Sequence, residues 1–346
     1  MSTSLEDVKD AALRIQGHVR QTPLLESALL NEELGFRLLL KAECLQVTGS
    51  FKARGAFNQL LQLTEAEKTS GVVAISSGNH AQAVAYVARE LEIRAAIVMP
   101  SDAPRLKMKN TRSYGAEIVI YDRDTEDREA VGERLLAERG GRFIHPYNDP
   151  RTAAGQGTVG LEIFEQTTER GIVPDALIVN CCGGGLAAGI AVTRDLYKQP
   201  PLFYVAEPEE FDDAQRSLAS SVLCSNAKKT GSICDALLAP HMGEGNFEIL
   251  RRHHATGLTA TDEEVEAAMT IAAEHFKIVL EPSGAVGFAA AIRNRARFKG
   301  QTVVVVGSGG NVDAAHYAEH LEHGERNRGR LLALAKTPFV SARPAA

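Results

Sequence analysis

Lys52 lies in the segment VTGSFKARGA, residues 47–56, directly after Phe51 and among small residues. An amine buried in such a turn loses the water that stabilises its charged form, and nearby positive backbone dipoles act in the same direction. Both effects favour the neutral amine, which is the nucleophilic form. Lysines more commonly extend into solvent, so Lys52 indicates a nucleophile only if other segments support it.

Three consecutive glycines, Gly183 to Gly185, follow the apolar run ALIVN and begin a helical pattern. Glycines at a helix start let backbone N–H groups approach a phosphate, whereas the alternative is a simple tight turn. Gly183, Gly185 and Ala188, with Glu207 further on, also match the fingerprint of dinucleotide-binding proteins. From this loop alone, a phosphate-binding site and the dinucleotide-binding site of a nicotinamide dehydrogenase are both open interpretations.

A donor cluster follows the apolar run GVVAI at residues 76–80. Its hydroxyl and amide groups, with the free N–H groups of a helix start, suit a carboxylate. A helix N-cap would account for one serine but not for the whole set. We therefore expect a substrate carboxylate to bind at Ser76, Ser77, Gly78, Asn79 and His80.

Ser308 lies between glycines in the segment GSGGNVD, after the apolar run TVVVV. The glycines expose its hydroxyl at the end of a strand. Val306 stands where the GxSxG elbow of α/β-hydrolases has its first glycine, so a serine-hydrolase triad is not indicated.

Short apolar runs alternate with longer amphipathic ones through most of the chain, which predicts βαβ units and parallel sheets covered on both faces. Ligands in such sheets bind at the carboxyl ends of the strands, where these loops lie. The strands after residue 71 form a compact series that ends near residue 145. We expect a larger lobe of residues 1–65 and 150–330, a smaller lobe of residues 66–149, and a C-terminal tail at 331–346.

The composition is that of a globular protein, with 44% hydrophobic and 24% charged residues among 346. The net charge of −6, without a lysine and arginine block, argues against a nucleic-acid partner. The five cysteines form no CxxC pair, which favours reduced thiols and a cytoplasmic location. No segment is apolar enough to suggest a membrane span.

Together, the segments SFK, SGNH, the triple glycine and SGGN resemble the serine/threonine dehydratase family of fold-type II pyridoxal 5'-phosphate (PLP) enzymes. This family includes threonine deaminases and serine racemases, and the resemblance covers about residues 15–320. It implies an α/β fold of the tryptophan synthase β type, with two lobes that each hold a mostly parallel sheet flanked by helices. It also implies PLP as cofactor, a larger PLP-binding lobe, a smaller lobe that closes over the substrate, and a homodimer. The dehydrogenase interpretation becomes remote.

The resemblance assigns a role to each motif. In this family the lysine of SFK forms the Schiff base and the preceding phenylalanine lies along the cofactor, which implies these roles for Lys52 and Phe51. Asn79 would contact the ring hydroxyl and Ser308 the pyridine nitrogen. The remaining cofactor contacts would be Cys182, Gly183, Gly184, Gly185, Leu186 and Glu281, with Cys182 standing where relatives commonly have a fourth glycine.

The activity implied is β-elimination from L-threonine or L-serine to a 2-oxo acid and ammonia, with Lys52 removing the α-proton. A neutral hydroxyl beside the pyridine nitrogen leaves that nitrogen largely unprotonated, which favours elimination over transamination. Ser77 matches the second base of serine racemases, which makes a racemase the alternative. Arg128 aligns with an arginine that can reach a second substrate carboxylate, although a helix-surface arginine is the simpler interpretation. A functional Arg128 would make 3-hydroxyaspartate a candidate substrate.

The resemblance also implies a divalent cation, Mg²⁺ or else Ca²⁺ or Mn²⁺, in the segment EPEEFDDAQ. Its ligands would be the Glu207 and Asp213 carboxylates and the Phe211 carbonyl, which are the hard oxygen donors that these cations prefer. An acidic loop is more often solvated surface, so both interpretations stay open.

Overall fold

The computed structural model describes residues 3–122 and 125–333. The strands in this part of the chain are β1 (Leu24–Glu26), β2 (Arg37–Ala42), β3 (Val72–Ile75), β4 (Ala95–Pro100), β5 (Glu117–Tyr121), β6 (Arg142–Phe143), β7 (Ala176–Asn180), β8 (Leu202–Pro208), β9 (Thr256–Ala260) and β10 (Thr302–Gly307). The first helices are α1 (Leu5–Ile15), α2 (Ala28–Leu34), α3 (Lys52–Leu60), α4 (Glu65–Ser70), α5 (Asn79–Glu90), α6 (Arg105–Ser113) and α7 (Arg128–Arg139). The later helices are α8 (Pro150–Glu169), α9 (Gly185–Ala191), α10 (Asp213–Ser220), α11 (Glu244–Arg252), α12 (Asp262–Phe276), α13 (Pro282–Arg293) and α14 (Ala314–Ala333).

Two separate sheets organise the molecule. The larger sheet has six strands in the order β1-β2-β10-β7-β8-β9, and the smaller has four in the order β5-β4-β3-β6. Every neighbouring pair is parallel except β1 with β2. This arrangement confirms the predicted α/β fold with mostly parallel sheets.

Helices cover both faces of the larger sheet. Successive residues of β10 point to opposite faces, so that Val303 and Val305 enter one apolar core while Val304 and Val306 enter another. The first core is completed by α12 and α13, and the second by α1, α8 and α9. Burial on both faces explains why the central strands are continuous apolar runs rather than alternating ones.

The smaller sheet lies entirely within the sequence range predicted for the smaller lobe, but its core does not. Ala56, Phe57 and Leu60 of α3 pack in the same apolar cluster as β3 and α5. The lobe boundaries therefore stay a prediction. Of the predicted C-terminal tail, residues 331–333 complete α14, and residues 334–346 lie outside the described residues.

Glycines let α8 approach its neighbours closely. A Cβ on Gly155 would lie 2.7 Å from the carbonyl oxygen of Arg54, and one on Gly157 would lie 2.6 Å from that of Gly189. Real Cβ atoms do not make such contacts, so larger residues would push α8 away from α3 and α9. The helix that begins at Lys52 and the helix that follows the triple glycine are thus both fixed against α8.

Arg54 anchors α3 through buried ion pairs. Its guanidinium lies 2.8 Å from Glu43 Oε1 and 2.6 Å from Glu162 Oε1, and Glu162 Oε2 in turn lies 2.6 Å from Lys41 Nζ. Burial alone would lower the pKa of Arg54 and raise that of Glu43, yet the paired charges shift both pKa values in the opposite direction. The Arg54–Glu43 pair is therefore fully ionised near neutral pH.

Among the helices of residues 3–122 and 125–333, none combines the length and apolar character that crossing a bilayer requires.

Replacement of Arg54 by methionine would leave the buried Glu43 carboxylate without its main partner and would remove one of the two cations that pair with Glu162. We expect Arg54→Met to lower the free energy of unfolding by about 3–5 kcal/mol, measured by urea denaturation of the PLP-saturated protein. Arg139→Met, which removes an exposed pair with Glu117, is the matched control and should leave the free energy of unfolding nearly unchanged. Equal losses in the two variants would contradict the anchoring role of Arg54.

Candidate active site

Two distant loops meet where the predicted Schiff-base lysine begins α3. Ser50 and Gly309 form an isolated antiparallel bridge, the Phe51 N–H donates to the Ser308 carbonyl at 3.2 Å, and the Gly310 N–H donates to the Gly49 carbonyl at 2.9 Å. These backbone bonds place the residue before Lys52 directly against the serine that follows β10.

The Lys52 amine is held in an enclosed position. Its Nζ donates to the carbonyl oxygen of Pro146 at 2.8 Å and lies 5.1 Å from the centroid of the Phe51 ring. Burial lowers the pKa of Lys52 to about 8, and the nearby Cys182 thiol opposes this shift weakly. A substantial fraction of the amine is therefore neutral in mildly alkaline solution, as a nucleophile or proton acceptor requires.

The segment Ile144–Tyr147 is a part of the site that the sequence did not reveal. The Ile144 carbonyl contacts His80 Nε2 at 2.8 Å, and the Pro146 carbonyl binds Lys52. A Cβ on Gly183 would collide with the Tyr147 ring, so this ring lies on the triple-glycine loop. The segment follows β6, which has only two residues and therefore does not form an apolar run in the sequence. Only recognition of this short strand would have drawn attention to the loop after it.

The triple-glycine loop presents backbone donors. Gly184 adopts a left-handed conformation with φ of 82°. The carbonyl of Gly183 accepts bonds from Asn246 Nδ2 at 2.8 Å and from the Gly243 N–H at 3.1 Å. The N–H groups of residues 184–186 have no acceptor within the described part of the chain. Unused N–H donors on a glycine loop are what a phosphate group binds.

Of the residues predicted to bind the substrate carboxylate, residues 76–78 connect β3 to α5, and Asn79 and His80 are the first two residues of α5. Ser76 Oγ accepts from the Gly78 N–H at 3.1 Å, while the half-buried Ser77 side chain has no hydrogen bond to another described residue. The His80 ring is buried against Ile144, and burial lowers the pKa of His80 to about 3. Any contact between His80 and a carboxylate would therefore involve its backbone N–H.

Asn79 joins the two sides of the site. Its Nδ2 donates to Glu281 Oε1 at 2.5 Å, and its Oδ1 accepts from Asn311 Nδ2 at 2.8 Å. An amide nitrogen has two hydrogens, so one remains for another acceptor. A Cβ on Gly309 would collide with the Glu281 carboxylate, and the absence of this side chain keeps the space open.

Lys107 links the helices of the two sheets across the site. From α6 its Nζ reaches Asp235 Oδ2 at 2.8 Å and Glu281 Oε2 at 3.0 Å. Burial alone would lower the pKa of Lys107, but the two carboxylates raise it. Burial keeps the pKa of Glu281 above its ordinary value despite the pull of Lys107. No motif in the sequence pointed to this lysine.

Arg128 is the first residue of α7 and lies near the Ile144–Tyr147 segment. Its Nε is 2.8 Å from Glu129 Oε1, and 44% of its side chain is exposed. Burial is the main cause that raises the pKa of Tyr147 to about 12 and lowers that of His145 to about 4, and the Arg128 charge acts on both groups. Arg128 thus lies close enough to influence residues on the rim of the site, although it does not join the central cluster.

The predicted metal ligands lie at the end of β8 and in the segment that follows it, with Glu207 in β8, Phe211 after the strand and Asp213 as the first residue of α10. Glu207 accepts the Ala214 N–H at 3.0 Å, and Asp213 accepts Asn226 Nδ2 at 2.6 Å. Burial, reinforced by the Asp213 charge, raises the pKa of Glu207 well above its ordinary value, and burial raises that of Asp213 to about 6. A cation would relieve this repulsion. Within residues 3–122 and 125–333 no group of three His, Cys, Asp or Glu side chains could hold a metal, so further ligands would be backbone carbonyls or water.

Comparisons with known proteins agree with this geometry. The family model described as pyridoxal-phosphate dependent enzyme matches residues 15–309. The chain is 42% identical to the L-threo-3-hydroxyaspartate ammonia-lyase of Saccharomyces cerevisiae, over 90% of this chain and 94% of that protein. It is 38% identical to the serine racemase of Schizosaccharomyces pombe, over 91% and 96%. The crystal structure of a T.th. threonine deaminase superposes with a TM-score of 0.84 at 43% identity, over 90% of this chain and 99% of that one.

The chain belongs to the pyridoxal-phosphate dependent enzyme family and uses PLP as its cofactor. The residues present fit this cofactor. Lys52 offers an enclosed amine of lowered pKa, the triple-glycine loop offers unused N–H donors, and the Ser308 hydroxyl lies at the end of β10. The predicted family and cofactor are confirmed, and the individual residue roles stay predictions.

The lowered pKa of Lys52 predicts how the apoprotein recaptures PLP. We expect the rate constant of Lys52 for covalent capture of PLP, divided by that of free Nα-acetyl-lysine amide, to be highest below pH 9. In that range Lys52 has a much larger neutral fraction than the free amine, which is mostly neutral only above about pH 10. Stopped-flow absorbance measures both rate constants, and Lys52→Arg should capture no PLP covalently. A ratio that does not vary with pH would contradict the lowered pKa.

Proposed function

We propose that this PLP-dependent enzyme is an ammonia-lyase that eliminates the β-hydroxyl group of a hydroxy amino acid, with 3-hydroxyaspartate as its preferred substrate. The sequence pointed first to L-threonine or L-serine. A relative that acts on 3-hydroxyaspartate carries the revised preference, and Arg128, the first residue of α7, is a cation that could meet the second carboxylate. This relative is the 42% identical L-threo-3-hydroxyaspartate ammonia-lyase.

Bound PLP supplies an electron sink for the carbon that loses its proton. Lys52 is the residue that takes this α-proton. Its hydrogen bond to the Pro146 carbonyl fixes the direction of the amine, and its lowered pKa makes the neutral form available. A base with a pKa near the working pH is the most effective one for proton transfer.

The surrounding loops orient the reactants. The α-carboxylate of the substrate is assigned to residues 76–80, which offer the Ser76 and Ser77 hydroxyls and the backbone N–H groups at the start of α5. Phe51, Asn79, Glu281 and Ser308 are assigned to the cofactor ring, and residues 182–186 to its phosphate. These roles agree with the geometry, since the glycine loop, Asn79 and Ser308 all follow the carboxyl end of a strand.

Arg128 would recognise the second carboxylate of 3-hydroxyaspartate. Its side chain is partly exposed and forms an ion pair with its neighbour Glu129. An exposed pair of this kind contributes little, so a substrate carboxylate can replace Glu129 at small cost. L-Serine and L-threonine lack this carboxylate and would gain nothing from Arg128.

A substrate panel tests this preference. We expect kcat/KM for L-threo-3-hydroxyaspartate, measured as 2-oxo acid and ammonia release, to exceed that for L-serine and L-threonine. Arg128→Gln should lower it by about 10-fold to 100-fold, the effect of one charged hydrogen bond, and leave kcat/KM for L-serine unchanged. Arg139→Gln, at the far end of α7, should change neither value. Similar losses on both kinds of substrate would show that Arg128 does not determine specificity.

Serine racemisation is the second candidate activity. It is favoured by the half-buried hydroxyl of Ser77 and by the 38% identity with the serine racemase of Schizosaccharomyces pombe. Pro240 argues against it, because it stands where serine racemases carry a substrate-facing serine. Formation of D-serine in the same assays distinguishes the two activities.

A divalent cation, Mg²⁺ or else Ca²⁺ or Mn²⁺, is part of the proposal, held by Glu207, Asp213 and the Phe211 carbonyl. We expect a chelator to lower the melting temperature of the protein. At Mg²⁺ concentrations about 100 times Kd, binding would add about 2.7 kcal/mol to the free energy of unfolding. Asp213→Asn should abolish the difference between Mg²⁺ and chelator. If the wild-type protein melts at the same temperature in both, the metal assignment is wrong.

Assembly as a homodimer, a cytoplasmic location and the division into two lobes are carried forward as parts of the same proposal. The five cysteines are all free thiols, as a reducing compartment would keep them.

A further inference from the structure

We propose that Asn180 is a positioning residue that favours donation of the Ser308 hydroxyl hydrogen toward the pyridine nitrogen of the cofactor. The proposal rests on the assignment of Ser308 to that nitrogen. Asn180 is the last residue of β7, adjacent to β10 in the larger sheet, and its side chain is buried. None of the motifs in the sequence includes it.

The neighbours of Asn180 fix the orientation of its amide. Oδ1 accepts the Gly287 N–H at 2.7 Å, and Nδ2 donates to the carbonyl oxygens of Ser283 at 2.8 Å and Gly284 at 3.0 Å. A backbone N–H can only donate and a carbonyl can only accept, so a flipped amide would lose all three bonds. The nitrogen therefore lies on the side of the amide that faces Ser308.

Asn180 Nδ2 shares its two hydrogens among three acceptors, the Ser283 and Gly284 carbonyls and Ser308 Oγ at 2.9 Å. An amide nitrogen cannot accept, so Ser308 Oγ is the acceptor in its contact with Asn180. The serine backbone is also fixed, because the Phe51 N–H donates to its carbonyl at 3.2 Å. A serine hydroxyl that accepts from one side keeps its own proton for another partner. Within the described part of the chain no residue accepts that proton.

This geometry selects the protonation state of the bound ring. A serine hydroxyl with free rotation can donate to an unprotonated nitrogen or accept from a protonated one. With Asn180 already donating to Ser308, the orientation that donates onward to the ring is favoured, and only an unprotonated nitrogen can accept from it. Asn180 thus acts through Ser308 to hold the pyridine nitrogen in its neutral form.

The experiment uses holoenzyme reconstituted with PLP that carries ¹⁵N in the ring, and reads the nitrogen by NMR across pH 6–9. We expect an unprotonated nitrogen in the wild-type enzyme. Asn180→Ala should raise the apparent pKa of this nitrogen by about one unit, which corresponds to one hydrogen bond. Asn294→Ala, which removes a side-chain amide bond at the far end of α13, is the control and should leave the pKa of the nitrogen unchanged.

A double variant separates positioning from general structural support. In a Ser308→Ala background, Asn180→Ala should produce no further change, because its effect passes through the serine hydroxyl. A change of the same size in both backgrounds would overturn the proposal. A protonated ring nitrogen in the wild-type holoenzyme would also overturn it, without any variant. A Ser308→Ala single variant with an unchanged pKa of the nitrogen would instead reject the assignment of Ser308 to that nitrogen, on which the proposal rests.

Discussion

The backbone bridge between Ser50 and Gly309 is the constraint on which the site depends. It joins the loop before α3 to the loop after β10, which are far apart in the chain, and thereby sets Phe51 against Ser308. The ion pairs of Arg54 with Glu43 and Glu162 fix α3 in place, so the bridge forms next to the start of an anchored helix. A site made of rigid strand ends and anchored helix starts needs little reorganisation when a substrate binds.

Two lysines, the half-buried Lys52 and the buried Lys107, show how local partners give the same side chain different chemistry. Lys52 meets a neutral carbonyl, so burial dominates and its pKa falls to about 8. Lys107 meets the carboxylates of Asp235 and Glu281, and its pKa rises instead. The first is therefore available for proton transfer, while the second is a permanent cation that ties the helices of the two sheets together.

The sequence predicted the parts of the molecule that are locally determined. The central strands β7 and β10 are apolar runs because both of their faces are buried, and the glycine and serine motifs lie at their ends. Strand β2 was not predicted because Lys41 interrupts its apolar run. Burial of that lysine is made acceptable by partners distant in the sequence, Glu162, Gln166 and the Thr22 carbonyl. Asn180 and Tyr147 were not predicted for a similar reason, because the residues that they contact are distant in the sequence and become neighbours only in the folded protein.

Borohydride reduction of the holoenzyme would show directly which lysine carries the cofactor. Reduction fixes the cofactor to the amine that holds it, and proteolysis with mass spectrometry then identifies the modified peptide. We predict a pyridoxyl group on the peptide that contains Lys52, and none on Lys107 or Lys41, which are occupied by carboxylates. A pyridoxyl group on either of those lysines, or on no lysine at all, would contradict the role of Lys52 and the site built around it.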